Sequence, residues 1–424
     1  MNTIQSASGK SAVSGVERGV ENTINQRHKS RQHYIQREDA VYLRVTLSFF
    51  AVGLATFALL YFVQPILPLL SEEFNISPAN SSLALSLSTG MLSLGLLITG
   101  PLSDALGRKN VMVVSLIAAA IFTLLSSVVT SWHGILFIRA LVGLSVSGVA
   151  AVAMTYLSEE IHPSYVALSI GLYISGNSIG GMSGRLITGV IADHYSWRIA
   201  VILLGAFALI SAIAFWKMLP ESKHFKPSSL KPKSLLINLK LHFRDQGLPL
   251  LFAEAFLLMG GFVTMFNYIG YRLLAAPYHL SQTIVGLLSV VYLTGTYSAT
   301  KAGTLTSKYG RGNVLLAAIG MMFMGCIVTL FSPIWAVILG VMMLTTGFFA
   351  AHAIASSWVG QRAKRAKAQA SSLYLFSYYS GSSIAGTLGG VFWSYFAWNG
   401  VAIFIALLTL VALYLGCKLN KLAK

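Results

Sequence analysis

From residue 45 onward the chain alternates apolar runs of about 20 residues with short polar stretches, and that alternation leaves very few folds open. A helical run of this length spans a hydrocarbon core about 30 Å thick. Six such runs lie near 45–67, 82–102, 111–129, 134–156, 168–191 and 199–219. A basic, Pro-containing segment follows, from Pro220 to Gly247, and then six more runs near 249–271, 284–305, 313–331, 335–357, 371–395 and 399–417. None alternates strictly at two residues, so these are helices that satisfy their own backbone rather than barrel strands. The chain is 55% hydrophobic and only 10% charged, where a soluble domain carries about a quarter charged residues. Its main solvent is the bilayer.

A net charge of +17 would suit a nucleic-acid binder, but the placement of the basic residues is topological. Of 30 Lys and Arg, 25 fall on one side if the N-terminus is cytoplasmic; Arg198 and Arg272 lie at the other face, and Arg139, Arg185 and Lys301 within spans. Both termini are then inside, which requires an even number of spans. The expected division is a polar, disordered cytoplasmic tail over 1–42, a six-helix bundle over 43–219, a basic cytoplasmic linker over 220–247, a second bundle over 248–417 and a cytoplasmic end over 418–424. Cys326 and Cys417 lie in apolar runs and form no spaced pair, so they are read as packing residues, with no disulfide or metal site.

The halves repeat each other. Gly100-Pro-Leu-Ser-Asp-Ala-Leu-Gly-Arg-Lys-Asn110 recurs as Gly303-Thr-Leu-Thr-Ser-Lys-Tyr-Gly-Arg-Gly-Asn313, and Tyr173-Ile-Ser-Gly-Asn-Ser-Ile-Gly-Gly181 as Tyr378-Tyr-Ser-Gly-Ser-Ser-Ile-Ala-Gly386. Six spans per copy is an even number, so both copies start from the same face. The repeat is therefore parallel, about a pseudo-two-fold axis along the membrane normal, an arrangement suited to rocking one half against the other.

The first of these segments matches the Gly-x-x-x-Asp-x-x-Gly-Arg-Lys loop of the major facilitator superfamily at each defining position, and the chain from residue 43 onward resembles that family. It is most similar to the twelve-helix, proton-coupled drug and sugar efflux branch of bacterial inner membranes. The resemblance implies an all-α membrane fold of two six-helix bundles and a gating latch at the cytoplasmic edge. In that latch Gly100 allows close approach, Gly107 a tight turn, and Asp104, Arg108 and Lys109 supply charge. It further implies that Asp104 docks on the start of the eleventh span, near residues 369–373, where the helix dipole favours a carboxylate. Glu159 and Glu160 are natural partners for Arg108. In the second copy Ser307 stands where Asp104 does and Arg362 where Glu159 does, so that latch is expected to be weaker or absent.

Within the spans, Arg139 sits in a partial match to the family's Arg-x-x-Gln-Gly motif, with Val142 in place of Gln, and is a candidate for proton coupling or substrate binding. The alternative is snorkelling to the outer interface. The run Gly176-Asn-Ser-Ile-Gly-Gly181 followed by Gly184 resembles an antiporter motif with Asn177 in place of Pro; its glycines suit close helix contact, and Asn177 a cavity wall. Glu254 is the one carboxylate clearly inside a span and, by elimination, the leading proton carrier, unless it is interfacial or paired with Lys301. His352 is the second candidate, its alternative being packing. The first span offers Tyr61 and Gln64 but no acid. Together with Asn267, Tyr268, Tyr271, Tyr292 and Tyr378 these are candidates for an amphipathic cavity.

The function expected is proton-coupled export of a small molecule by alternating access in the bacterial inner membrane. A proton-coupled importer or uniporter is the alternative, and a transporter-like sensor the alternative of another class. Lipid, protons and a small solute are the expected partners, nucleic acid is not, and a monomer is expected. With no phosphate loop, metal-spaced cluster or nucleophile set in the sequence, neither a cofactor nor an enzyme is implied. Reporters fused after Lys233 and Lys421 should report cytoplasm and one after His194 periplasm; a cytoplasmic signal at His194 breaks the twelve-span topology.

Overall fold

A computed structural model describes residues 34–225 and 232–423. The first half comprises α1 (Ala40–Tyr61), a short α2 (Leu67–Glu73), α3 (Pro78–Leu106), α4 (Arg108–Ser126), α5 (Trp132–Glu160), α6 (Pro163–His194) and α7 (Trp197–Met218). After α8 (Pro232–Arg244) come α9 (Leu248–Leu274), then α10 (Gln282–Leu287), which runs through a 3-10 turn (Leu288–Val291) into α11 (Tyr292–Tyr309). The chain ends with α12 (Arg311–Val328), α13 (Ile334–Arg362) and α14 (Lys367–Ala423). α14 is two spans joined by a break at Phe396 and Ala397, where Ala397 has φ 47°. Setting aside the short α2 and the linker helix α8, twelve spans result, six per half. α6 is less apolar than its neighbours α5 and α7 because Gly, Ser, Asn177 and Arg185 take positions that leucine fills elsewhere.

Several boundaries differ from those expected. α1 starts at Ala40 and stops at Tyr61, since residues 62–66 turn into α2. The linker contains a helix, α8, and the span expected at 284–305 is interrupted by the 3-10 turn. The tail expected over 1–42 lies outside the described residues up to residue 33. From Tyr34 the chain is held in place: Ile35 bonds to Glu160 O and receives a bond from the His162 N–H, and Tyr34 stacks on His224.

Bare helices in lipid gain nothing from the hydrophobic effect by associating, so small residues that bring backbones together decide which helices pair. α6 packs on α1 through Gly176, Gly180 and Gly184, where an added Cβ would fall 2.3 Å from Phe50 O, 2.1 Å from Leu54 O and 2.8 Å from Ala58 Cα. The second half repeats the contact: on α14, Gly381 and Gly389 face Phe256 O at 2.1 Å and Thr264 Cγ2 at 2.4 Å on α9, with Ala385 against Gly260 between them. The repeated loop is conformationally duplicated as well, with Gly107 (φ 95°, ψ 141°) and Gly310 (φ 80°, ψ 147°) each ending one helix and starting the next. Side chains such as Val114 and Ile210, about two-thirds exposed, clothe the outer faces, as lipid contact requires.

The halves meet at one end only. Near His194, Asp193 accepts from Thr283 Oγ1 (2.6 Å), the Ser71 and Tyr271 hydroxyls bond (2.6 Å), Gln64 donates to Asn267 (2.8 Å), and Gly189 abuts Gly286. Further along, Ser383 and Thr387 of α14 bond to Ser86 of α3. Toward the end carrying the basic loops, an added Cβ at Gly100 or Gly303 would meet no atom within 4 Å, and the first turns of α6 and last turns of α11 are largely exposed. The molecule is a cleft closed at one end and open at the other. Replacing Gly180 by Val should cost about 1–3 kcal/mol or more through overpacking, read as a lowered Tm in detergent, whereas Gly320→Ala, in open space on α12, should cost nothing measurable.

Candidate functional site

At the open end, Arg108 makes a two-pronged contact with Glu159 (Nη2 to Oε1 2.9 Å, Nε to Oε2 3.1 Å), donates to Ser103 Oγ (2.7 Å) and pairs with Asp104 one turn before it. The tight Gly107 turn makes this possible by setting the start of α4 against the ends of α3 and α5. Lys109 pairs with Glu221 at 3.0 Å. Glu160, expected beside Arg108, instead accepts from Ser222 and from the His224 backbone N–H (2.9 Å), clasping the start of the linker. The Asp104 carboxyl remains partly exposed beside Arg108.

The second half has a different charge arrangement at the same place. Ser307 bonds only locally, to Gly303 O, and Arg362 pairs with Asp245 of the linker. Asp245 also accepts from the N–H groups of Gly247 and Leu248 (both 2.8 Å), capping α9. Partial burial works against its charge, but Arg362 and the two N–H groups outweigh this and hold the carboxyl below its ordinary range.

Arg139 does not reach the cleft. Its nitrogens donate to Ala84 O (2.8 Å), Leu59 O (2.8 Å) and Leu60 O (2.7 Å), so the guanidinium pins α5 to α3 and to the end of α1. Neither snorkelling nor solute contact describes a group 2% exposed with its donors spent on carbonyls. Asn177 likewise turns to α1, its side chain against Gly53.

Glu254 is fully buried, with neither carboxyl oxygen hydrogen-bonded among the described residues. It faces α14, with Gly416 leaving room for it, and is electrostatically coupled to Tyr374. Lys301, its expected partner, is exposed and lies over the Tyr297 ring instead. His352 bonds through Nδ1 to Tyr374 Oη (2.9 Å), stacks on Phe348 and packs at a tilt against Tyr378.

Three of the eight cavity candidates, Tyr61, Gln64 and Tyr292, surround a group with no role assigned to it from sequence, Arg185 of α6; Asn267 joins them through its bond to Gln64, and Tyr378 packs beside His352. The Arg185 guanidinium donates to Gln64 Oε1 (2.6 Å) and Gly181 O (2.5 Å) and lies 4.7 Å from the ring centres of both Tyr61 and Tyr292. Tyr268 and Tyr271 are engaged elsewhere: Tyr268 Oη donates to Gly386 O (2.8 Å) within the second half, and Tyr271 Oη to Leu67 O (2.9 Å) across the halves. A signal for Arg185 was present, since a cation at membrane depth costs about 3 kcal/mol or more and is retained for a partner or a cavity.

A family model described as Major Facilitator Superfamily matches residues 47–385. The chain is 64% identical over 388 residues to the inner membrane transport protein YnfM of Escherichia coli K12, covering 92% of this chain and 93% of that one. It is 48% identical to an uncharacterized transporter of Buchnera aphidicola from Schizaphis graminum, covering 89% and 92%. Among solved structures, a bacterial homolog of the human lysosomal transporter Spinster, inward-facing and occupied, superposes with a TM-score of 0.74 at 13% identity, covering 91% of this chain and 98% of that one.

Proposed function

Because the chain belongs to the major facilitator superfamily and is a multi-pass membrane transporter of that type, we propose that it exports a small molecule from the bacterial cytoplasm in exchange for protons, by alternating access. The observation that carries this reading is the one-ended closure: the halves are hydrogen-bonded around His194 and Thr283 and apart at the end with the basic loops. With those loops cytoplasmic, this is the inward-facing state. Rocking the halves would then bring Asp104 onto the start of α14 and break the Gln64–Asn267 and Ser71–Tyr271 bonds. Export is the direction favoured by the glycine run of α6.

Proton coupling is assigned to Glu254. A buried carboxyl with no hydrogen-bond partner is costly in either form and far more so when ionised, so its environment must change within the cycle. Tyr374 and His352 supply the route toward the cleft, and His352 positions Tyr374 rather than carrying the proton.

Both parts can be tested without knowing the substrate, using spin labels on cysteines introduced at the exposed positions Ala167 and Thr300, after replacing Cys326 and Cys417. Asp104→Asn should shift the distance distribution toward the open form by weakening the docked one, while Ser307→Ala should leave it unchanged; equal shifts in both would sink the single latch. The wild-type distribution should change between mildly acidic and mildly alkaline buffer, and Glu254→Gln, which keeps size but cannot carry a proton, should flatten that response. Full pH response in Glu254→Gln with none in His352→Ala would transfer the carrier role to the histidine.

A further inference from the structure

We propose that Arg185 binds the carboxylate of an amphipathic organic monoanion, and that this anion is the transported solute. The assignment deepens the exporter reading and rests on it. Arg185 is 3% exposed at the junction of the halves, and among the described residues it has no carboxylate in ion-pair range. Arg139 shows how this chain satisfies an arginine that only holds helices together, by giving its donors to backbone carbonyls. Arg185 is held otherwise. One carbonyl and one amide oxygen accept from it, the Tyr292 hydroxyl lies beside it, and the rings of Tyr61, Tyr292 and Phe266 flank it. Ring faces stabilise a cation without using up its hydrogen bonds, so its charge remains available to a ligand.

A second, independent observation names the ligand's chemistry. The Tyr61 hydroxyl is buried with no hydrogen-bond partner among the described residues, and the Tyr292 hydroxyl, also buried, meets only the Arg185 guanidinium itself, which leaves its own O–H free to donate; these are the two residues whose rings flank the guanidinium. Two unpaired hydroxyl donors beside a permanent planar cation suit a ligand that is all acceptor and carries negative charge, and a carboxylate matches the guanidinium fork. The body of the ligand is set by the neighbouring rings. Tyr292 packs edge-on against Phe262 and Phe349 at 5.5 and 5.4 Å, giving an apolar, aromatic wall beside the charge. Binding is also tied to the gate, since Gln64 accepts from Arg185 and donates to Asn267 across the halves. A carboxylate competing with Gln64 for Arg185 would loosen that bond and favour release at the far side.

The probe is benzoate, paired with benzamide, which keeps shape and ring but not charge, added to the purified full-length protein in detergent. Benzoate should raise Tm in a concentration-dependent way and benzamide should not, because a ligand that binds only the folded state stabilises it. Arg185→Gln should weaken benzoate affinity at least tenfold, with Arg185→Lys intermediate. Should Arg185→Gln fail to fold, Tyr61→Phe and Tyr292→Phe should each weaken benzoate several-fold. The proposal is overturned by no benzoate effect on the wild type, by an equal effect of benzamide, or by undiminished binding in Arg185→Gln or, where that protein does not fold, in both phenylalanine variants. Labelled benzoate counterflow in proteoliposomes separates the two readings. Arg185-dependent binding without counterflow supports the site and counts against export, whereas counterflow of a neutral solute unaffected by Arg185→Gln does the reverse.

Discussion

Close approach of backbones at small residues is the contact on which the rest of this molecule depends. Lipid is as apolar as leucine, so burying more leucine does not choose a helix partner, whereas a glycine stripe does. In each half one stripe joins the first span to the fifth, α6 to α1 through Gly176, Gly180 and Gly184, and the second limb repeats it with Gly381 and Gly389 of α14 on α9. Fixing those pairs carries Arg185 against the end of α1, where Tyr61 and Gln64 are, and sets Tyr374 beside Glu254. The same glycines that hold the bundle therefore place its polar groups.

Symmetry in the backbone is not symmetry in charge. The two repeated loops share the positive φ of Gly107 and Gly310, but only the first has an acid in the loop and an acid on the neighbouring span to meet its arginine. In the second half the equivalent of Glu159 is Arg362, and its partner Asp245 comes from the linker. One half thus carries the latch, while the other ties its span to the segment that connects the halves. A rocking motion driven at one latch needs such a rigid counterpart on the other side.

Most of the fold was legible because run length and the placement of Lys and Arg are properties of single residues, independent of packing. The ion-pair cluster at the open end was legible for the same reason, since Gly107, Asp104 and Arg108 lie within one loop, and Glu159 was placed by its position at a span end. What could not be read was the inward face. A soluble helix reveals its buried side by polarity, but a span that is apolar toward lipid and toward its neighbours has no such contrast. Hence Arg139, given a role in the cleft, donates to three carbonyls, Tyr268 bonds within the second half and Tyr271 across the halves, and Arg185 was passed over. The 3-10 turn at Leu288–Val291 lies inside an apolar run where composition does not change, so nothing in the sequence marked it.

The buried polar atoms left without partners give the last step. Among the described residues they include both Glu254 oxygens, the hydroxyls of Tyr61 and Tyr292, and the Gln282 amide at the seal between the halves. A static bundle would not retain so many, because each costs roughly 1–3 kcal/mol when unsatisfied. Of these, Tyr61, Tyr292 and Gln282 lie where one half meets the other, and Glu254 lies where α9 meets α14. Groups unsatisfied in one state and satisfied in another shift the balance between the two by their differential interaction alone. On the proposed reading, the arrangement open at one end is kept from being too stable by the groups that would bind solute and proton, and their occupancy would be the means of moving it.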